Sequence, residues 1–219
     1  MIKIYDKSWH ILVRKKYSDL HSQKQWNGLS IVPEFEQFMQ GIKDTTNNIW
    51  DIGCGFNIIK EYYPHLRITG VDKTWEADIH SHLEQSRMHL TYVQHAFAIN
   101  SLHFGTVENV TERVRYVMDS LPKAGTFFLT LNNFLSEEEF AEYGDPDFWQ
   151  QFGTVKNLKF ISKEECDREY HVMKDWVTEF LSHANLDGEY DISKEVESIW
   201  ESAISTDSLW GRCRVLLKK

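Results

Sequence analysis

Phe35, Phe38, Met39 and Ile42 recur at positions i, i+3, i+4 and i+7, one apolar stripe of an amphipathic helix. Pro33 opens that helix, a place where its missing N–H costs nothing, and the polar run Asp44–Asn48 ends it. The pattern then shortens. Ile49-Trp50-Asp51-Ile52 is an apolar run stopped by Gly53, which predicts a strand over about 49–53. A short helix follows over 57–63, closed by Pro64, and Arg67–Asp72 reads as a second strand. His95–Asn100 is a run of the kind buried on both faces of a parallel sheet. Val107, Val110, Val114, Val117 and Leu121, spaced 3, 4, 3 and 4, predict a helix over 106–121 capped by Thr106. After the turn 122–125, Thr126–Leu131 is a further strand. Helices interleaved with strands in this way predict a layered α/β sheet.

Three stretches are less regular. Residues 1–30 have weak periodicity but carry Tyr5, Trp9, Tyr17 and Trp26, and read as an extension packed on the core or covering a site. Between 73 and 94 two readings stand: a strand at 76–79, or a strand at 89–93 with Asp78 on a helix. Residues 132–166 are acidic and aromatic, an insertion after the fifth strand. A helix over 168–184 follows, and Glu189–Ser198 with Leu209–Leu217 are read as a final antiparallel pair. The domain division is therefore 1–48 as extension and lead-in helix, and 49–219 as the main domain.

Composition narrows the class. The 219 residues include 42% hydrophobic side chains, enough for a sizeable core. No apolar run approaches the ~18 residues of a membrane span. Cys54, Cys166 and Cys213 are odd in number and far apart, so no disulfide framework is implied and a cytoplasmic, reducing setting is expected. No metal-ligand spacing appears; His80 and His82 read as polar loop residues. The net charge is −9, of which residues 1–48 carry +2 and the remaining 171 carry −11. An acidic body argues against nucleic acid as partner, since sequence-independent binding rests on neutralising phosphates. The sequence does not fix an oligomeric state.

The chemistry-bearing feature is Asp51-Ile52-Gly53-Cys54-Gly55-Phe56-Asn57, followed by Gly70-Val71-Asp72. A dinucleotide fingerprint, G-x-G-x-x-G, needs glycine at 58, where Ile58 stands. The order of acid, G-x-G and a second acid 19 residues after Gly53 instead resembles the first motif of class I S-adenosylmethionine-dependent methyltransferases. Asn57 takes the place of that motif's last glycine, and asparagine tolerates left-handed backbone angles. Leu121-Pro122-Lys123-Ala124-Gly125 is similar to the turn before that family's fifth strand, with proline and lysine exchanged.

The resemblance implies a Rossmann-like, doubly wound sheet of seven mostly parallel strands, the last antiparallel, with helices on both faces. It implies S-adenosylmethionine as cofactor and methyl transfer to an acceptor. By the same resemblance Asp51, Gly53 and Gly55 line the methionine portion, Asp72 holds the ribose, Asp78 approaches adenine, and Asn100 faces the methyl group or cofactor. The resemblance also implies that the insertion 132–166 covers the acceptor site. His103 is the candidate catalytic base, because it follows the fourth strand and unperturbed histidine titrates near pH ~6.5; the alternative is a helix-starting residue satisfying a carbonyl. Trp75 either stacks on the base or plugs the core. The place of the N-P-P-Y motif of nucleic-acid amine methylation reads Asn100-Ser101-Leu102-His103, without its aromatic, so a small-molecule acceptor is favoured. A non-catalytic binding or scaffold domain, and another adenosine-cofactor enzyme on the same sheet, are the rival readings.

Overall fold

The computed structural model describes residues 33–55, 57, 59–73, 77–88, 92–99, 101–102, 105–135, 137–161 and 209–219. Helix α1 (Pro33–Gly41) starts at the proline, with Glu34 and Glu36 in its first turn, where acids complement the helix dipole. Strand β1 (Asn48–Ile52), the short helix α2 (Ile59–Tyr62) and β2 (Arg67–Asp72) follow. Next come β3 (Ile79–His80), β4 (Val93–Ile99), α3 (Val107–Ser120) and β5 (Thr126–Leu135). Helices α4 (Glu137–Gly144) and α5 (Pro146–Gln150), then β6 (Thr154–Ile161) and β7 (Leu209–Lys218), complete the described chain.

The strands form a single seven-stranded sheet in the order β3-β2-β1-β4-β5-β7-β6. β1 to β5 pair in parallel, and β7 runs antiparallel between β5 and β6. The predicted doubly wound sheet with its last strand reversed is thus present.

Strand alternation splits the core into two layers. Ile49, Phe97 and Phe128 join Phe35, Phe38, Met39 and Ile42 of the α1 region on one face. Trp50, Ile52, Ala96, Ala98, Phe127 and Leu129 join Val110, Val114, Val117 and Met118 of α3 on the other. A capping box starts α3: the Thr106 hydroxyl accepts from the Asn109 N–H at 3.4 Å, and Asn109 Oδ1 accepts from the Thr106 N–H at 3.0 Å. Glu34 ties α1 to the far side of the sheet, with Arg214 Nη1 of β7 and Lys159 Nζ of β6 each 3.2 Å from its carboxylate oxygens.

Several boundaries differ from the sequence reading. The strand beside β2 is the two-residue β3, with Val71 opposite Ile79 and Asp72 opposite His80. This lies close to the first of the two readings for 73–94, whereas Val93 belongs to β4. β5 runs four residues past Leu131, because β7 pairs with it along all ten positions to Leu135–Leu209. β7 pairs with β6 as well as with β5, and Glu189–Ser198, read as its antiparallel partner, lies outside the described residues. Residues 154–161 were expected to belong to the cover. Lys156, Asn157 and Lys159 and a register shift between Val155 and Asn157 break the period-2 signal of this edge strand. The extension 1–30 and the helix at 168–184 also lie outside the described residues.

Phe35 is fully buried, its ring within 5.0–6.2 Å of Phe38, Tyr63, Phe97 and Phe128. Phe35→Ala is expected to destabilise the protein by about 3–5 kcal/mol through lost transfer energy and the cavity left behind. A lowered urea midpoint at unchanged slope would show it.

Candidate functional site

The site is built where β1 ends. Gly53 has φ +71°, Gly55 +51° and Asn57 +57°, so the chain leaves the sheet through three left-handed residues. The Gly53 and Cys54 N–H groups donate to the Val71 carbonyl at 2.7 and 3.3 Å, which keeps the turn against the end of β2. The expectation that Asn57 can stand where the motif has glycine is met by its backbone angle.

Two glycines are required by space. A Cβ at Gly53 would lie 2.2 Å from the Ser101 Cβ. Ser101 closes over the turn, and its hydroxyl donates to the Ile52 carbonyl. A Cβ at Gly70 would lie 2.2 Å from Asn57 Oδ1 and 2.8 Å from Cys54 Sγ, so β2 must be bare there for the turn to pack on it. Gly55 is different: a Cβ there would meet nothing within 4 Å, so its backbone borders open space.

Three carboxylates converge on this turn. Asp51 is 2% exposed, and its Oδ2 has no hydrogen-bond partner among the described residues. Burial, reinforced by the charges of Asp72 and Asp78, pushes its carboxyl well above the usual carboxylate range. Asp72, at the carboxyl end of β2, accepts the Gly55 N–H on Oδ2 at 2.9 Å. Asp78 stands just before β3. Its Oδ2 accepts the Gly70 N–H at 2.8 Å and its Oδ1 accepts from Lys60 Nζ at 2.7 Å. Burial works against ionisation of Asp78, yet bonds from Lys60, Gly70 and Asn57 outweigh it and hold the carboxyl below its ordinary value. The same negative surroundings, together with burial, push the Cys54 thiol up and keep it protonated.

The structure therefore brings Asp51, Gly53, Gly55, Asp72 and Asp78 together at one end of the sheet. Asn100, His103 and Trp75 lie outside the described residues. Sequence reasoning missed Lys60, Ser101 and the contact of Asn57 with Gly70. Only the asparagine in a glycine position hinted at the last. Among the described residues no group of three or more His, Cys, Asp or Glu is arranged to hold a metal ion. No described helix is long and apolar enough to cross a membrane.

Asp51 also gives a pH signature. The folded protein holds the Asp51 proton more tightly than the unfolded chain, whose carboxyl titrates near 3.8. Its contribution to stability is therefore lost as pH rises from there through the raised folded value. Asp51→Asn removes this titration. The ligand-free variant is expected to melt several degrees above the wild type at neutral pH, with the gap closing toward pH 4. Thermal unfolding of both proteins across that range tests this.

No protein-family model and no curated protein matches the chain. Solved structures do. A phosphoethanolamine N-methyltransferase of Haemonchus contortus, solved with phosphomonomethylethanolamine and S-adenosylhomocysteine, superposes with a TM-score of 0.57 at 14% identity. The match covers 99% of this chain and 58% of that one, so this chain spans under two thirds of its length. The O-methyltransferase of a trans-AT PKS multienzyme of Brevibacillus brevis, in complex with S-adenosylhomocysteine, matches with TM-score 0.51 at 15% identity over 100% and 81% of the two chains. A cyclopropane synthase of Mycobacterium tuberculosis matches with TM-score 0.53 at 12% identity over 89% and 88%. Similarity of this degree speaks for architecture: the chain has the fold of the class I S-adenosylmethionine-dependent methyltransferases.

Proposed function

We propose that this chain binds S-adenosylmethionine at the turn after β1 and transfers its methyl group to a small-molecule acceptor. The observation that carries the reading is Asp51, a buried carboxylate with one oxygen lacking a hydrogen-bond partner among the described residues, beside a turn that borders open space at Gly55. A buried carboxylate of this kind calls for a cation. Asp72 and Asp78 deepen the negative potential, and Lys60 is the opposing charge felt at Asp51. A pyrophosphate would be repelled there, whereas an ammonium and a sulfonium suit it. The residues thus fit S-adenosylmethionine and disfavour a dinucleotide.

In this reading Asp51 and the amides around Gly53 and Gly55 hold the amino-acid end, and Asp72 accepts from the ribose hydroxyls. The bond from Gly55 to Asp72 fixes that carboxylate before the ligand arrives. When bound, S-adenosylmethionine supplies a methyl carbon already activated by its sulfonium. The protein's part is alignment, which in ideal intramolecular cases is worth up to ~7–11 kcal/mol. Asn100 and His103 come soon after β4 in the sequence. We assign Asn100 to the cofactor side and His103 to taking a proton from a hydroxyl or ammonium acceptor. The acidic segment after β5 supplies the acceptor cover, through α4 and α5.

Calorimetric titration tests the reading. S-adenosylmethionine and S-adenosylhomocysteine are both expected to bind, and Asp72→Ala to weaken each by about 10- to 100-fold, the loss of hydrogen bonds to a charged group. Absence of binding heat for either ligand removes the proposal. Transfer of a labelled methyl group to a panel of small amines, hydroxyls and carboxylates, lost in His103→Ala with cofactor affinity retained, would identify the acceptor class and the base together.

A further inference from the structure

Asp78 was expected to reach the adenine. Its surroundings point elsewhere. Both of its oxygens are engaged within the protein, Oδ1 by Lys60 at 2.7 Å and Oδ2 by the Gly70 N–H at 2.8 Å. The Asn57 side-chain amide donates to the same carboxylate. Asn57 itself is 3% exposed, sits at φ +57°, and is the residue that replaces the motif's last glycine. Its side chain lies over Gly70, where even a methyl group would collide with it. One carboxylate thus joins the turn (Asn57), the strand that carries Asp72 (Gly70) and the helix that leaves the turn (Lys60).

We propose that Asp78 is a positioning residue that locks the glycine-rich turn through Asn57 and Gly70, and that in this chain it takes the place of the flexible third glycine's fit rather than contacting the adenine. The physical need is clear. A glycine at 57 would enter the left-handed region at no steric cost. An asparagine there has a side chain that must be buried and satisfied, and a buried amide without a partner would push the turn open. Asp78 accepts from the Asn57 amide N–H and, through Gly70, ties the turn to β2. The ion pair with Lys60 contributes least, because both side chains are more than a third exposed.

The inference rests on the cofactor reading above only for which end of the ligand the turn holds. The test therefore has two arms. In the ligand-free protein, hydrogen exchange of the Gly70 amide and of amides 53–57 is compared between wild type and Asp78→Ala. Faster exchange at Gly70 and across the turn, with the β4 and β5 amides unchanged, is expected; unchanged protection of the turn overturns the lock. In the second arm, Kd is measured for S-adenosylhomocysteine and for methylthioadenosine, which has the same base and sugar but no amino-acid end. Asp78→Ala is expected to weaken S-adenosylhomocysteine by about tenfold, the scale of one charge-assisted hydrogen bond, and methylthioadenosine by less than about twofold. An equal loss for both ligands would mean that Asp78 grips the base, and would overturn the proposal. Asn57→Gly combined with Asp78→Ala should cost no more than the larger single change, since both cut one link. Lys60→Met should leave both affinities within about twofold. If the wild type binds neither ligand, the cofactor reading falls, while the exchange comparison still decides the lock.

Discussion

A carboxylate sealed from water at the end of the central strand is the constraint on which the rest of this structure turns. Asp51 lies between β2 and β4, opposite Gly70 on one side and Phe97 on the other, so its side chain has no route to solvent through the sheet. Burying an unpaired charge is costly, and a protein commonly avoids it by protonation or by a partner. Here the neighbouring charges are of the same sign, which favours the protonated form while the site holds no cation. Removing that acid is therefore expected to relieve the fold.

The topology explains why the burden falls at this place. Strand order reverses at β1: β2 and β3 lie on one side, β4 and β5 on the other. In open α/β sheets the crevice beyond the carboxyl ends of the strands at such a reversal is where ligands bind. Asp51 comes from β1, which borders that point, Asp72 from the end of β2 beside it, and Ser101 from the segment after β4 closes over the turn from the other side. Gly53 and Gly70 are the points at which these pieces touch, and bare backbone is required at both.

Much of this was legible in the residue pattern. Apolar stripes found α1 and α3, and the cap at Thr106 fell where its hydroxyl could accept from the third amide. The acids and glycines of the turn were recognisable because their chemistry is local: left-handed angles and a carboxylate at a strand end. What escaped depends on contacts between distant positions. β6 carries lysines and an asparagine along an edge, with a register shift, so its apolar period is broken. β5 was read short because its last residues are held by β7, some eighty positions later. Lys60 and Ser101 gave no sign, since nothing in their neighbours says that one meets Asp78 and the other Gly53.

The three acids of the site also show how environment divides labour among identical groups. Asp78 is anchored on both oxygens and partly exposed, so it is ionised and committed to the scaffold. Asp51 is enclosed, with an oxygen that has no hydrogen-bond partner among the described residues, and burial and like charge favour its protonated form. Asp72 is half-buried at the end of β2 and accepts the Gly55 N–H. A carboxylate already bonded to the turn keeps its direction when hydroxyls approach, so less order must be imposed on binding. The turn, in turn, is held by the acid that serves it. Site and scaffold are therefore not separable here: the bond that shapes the loop is made by the carboxylate we propose for the sugar, so a change in either is felt by both.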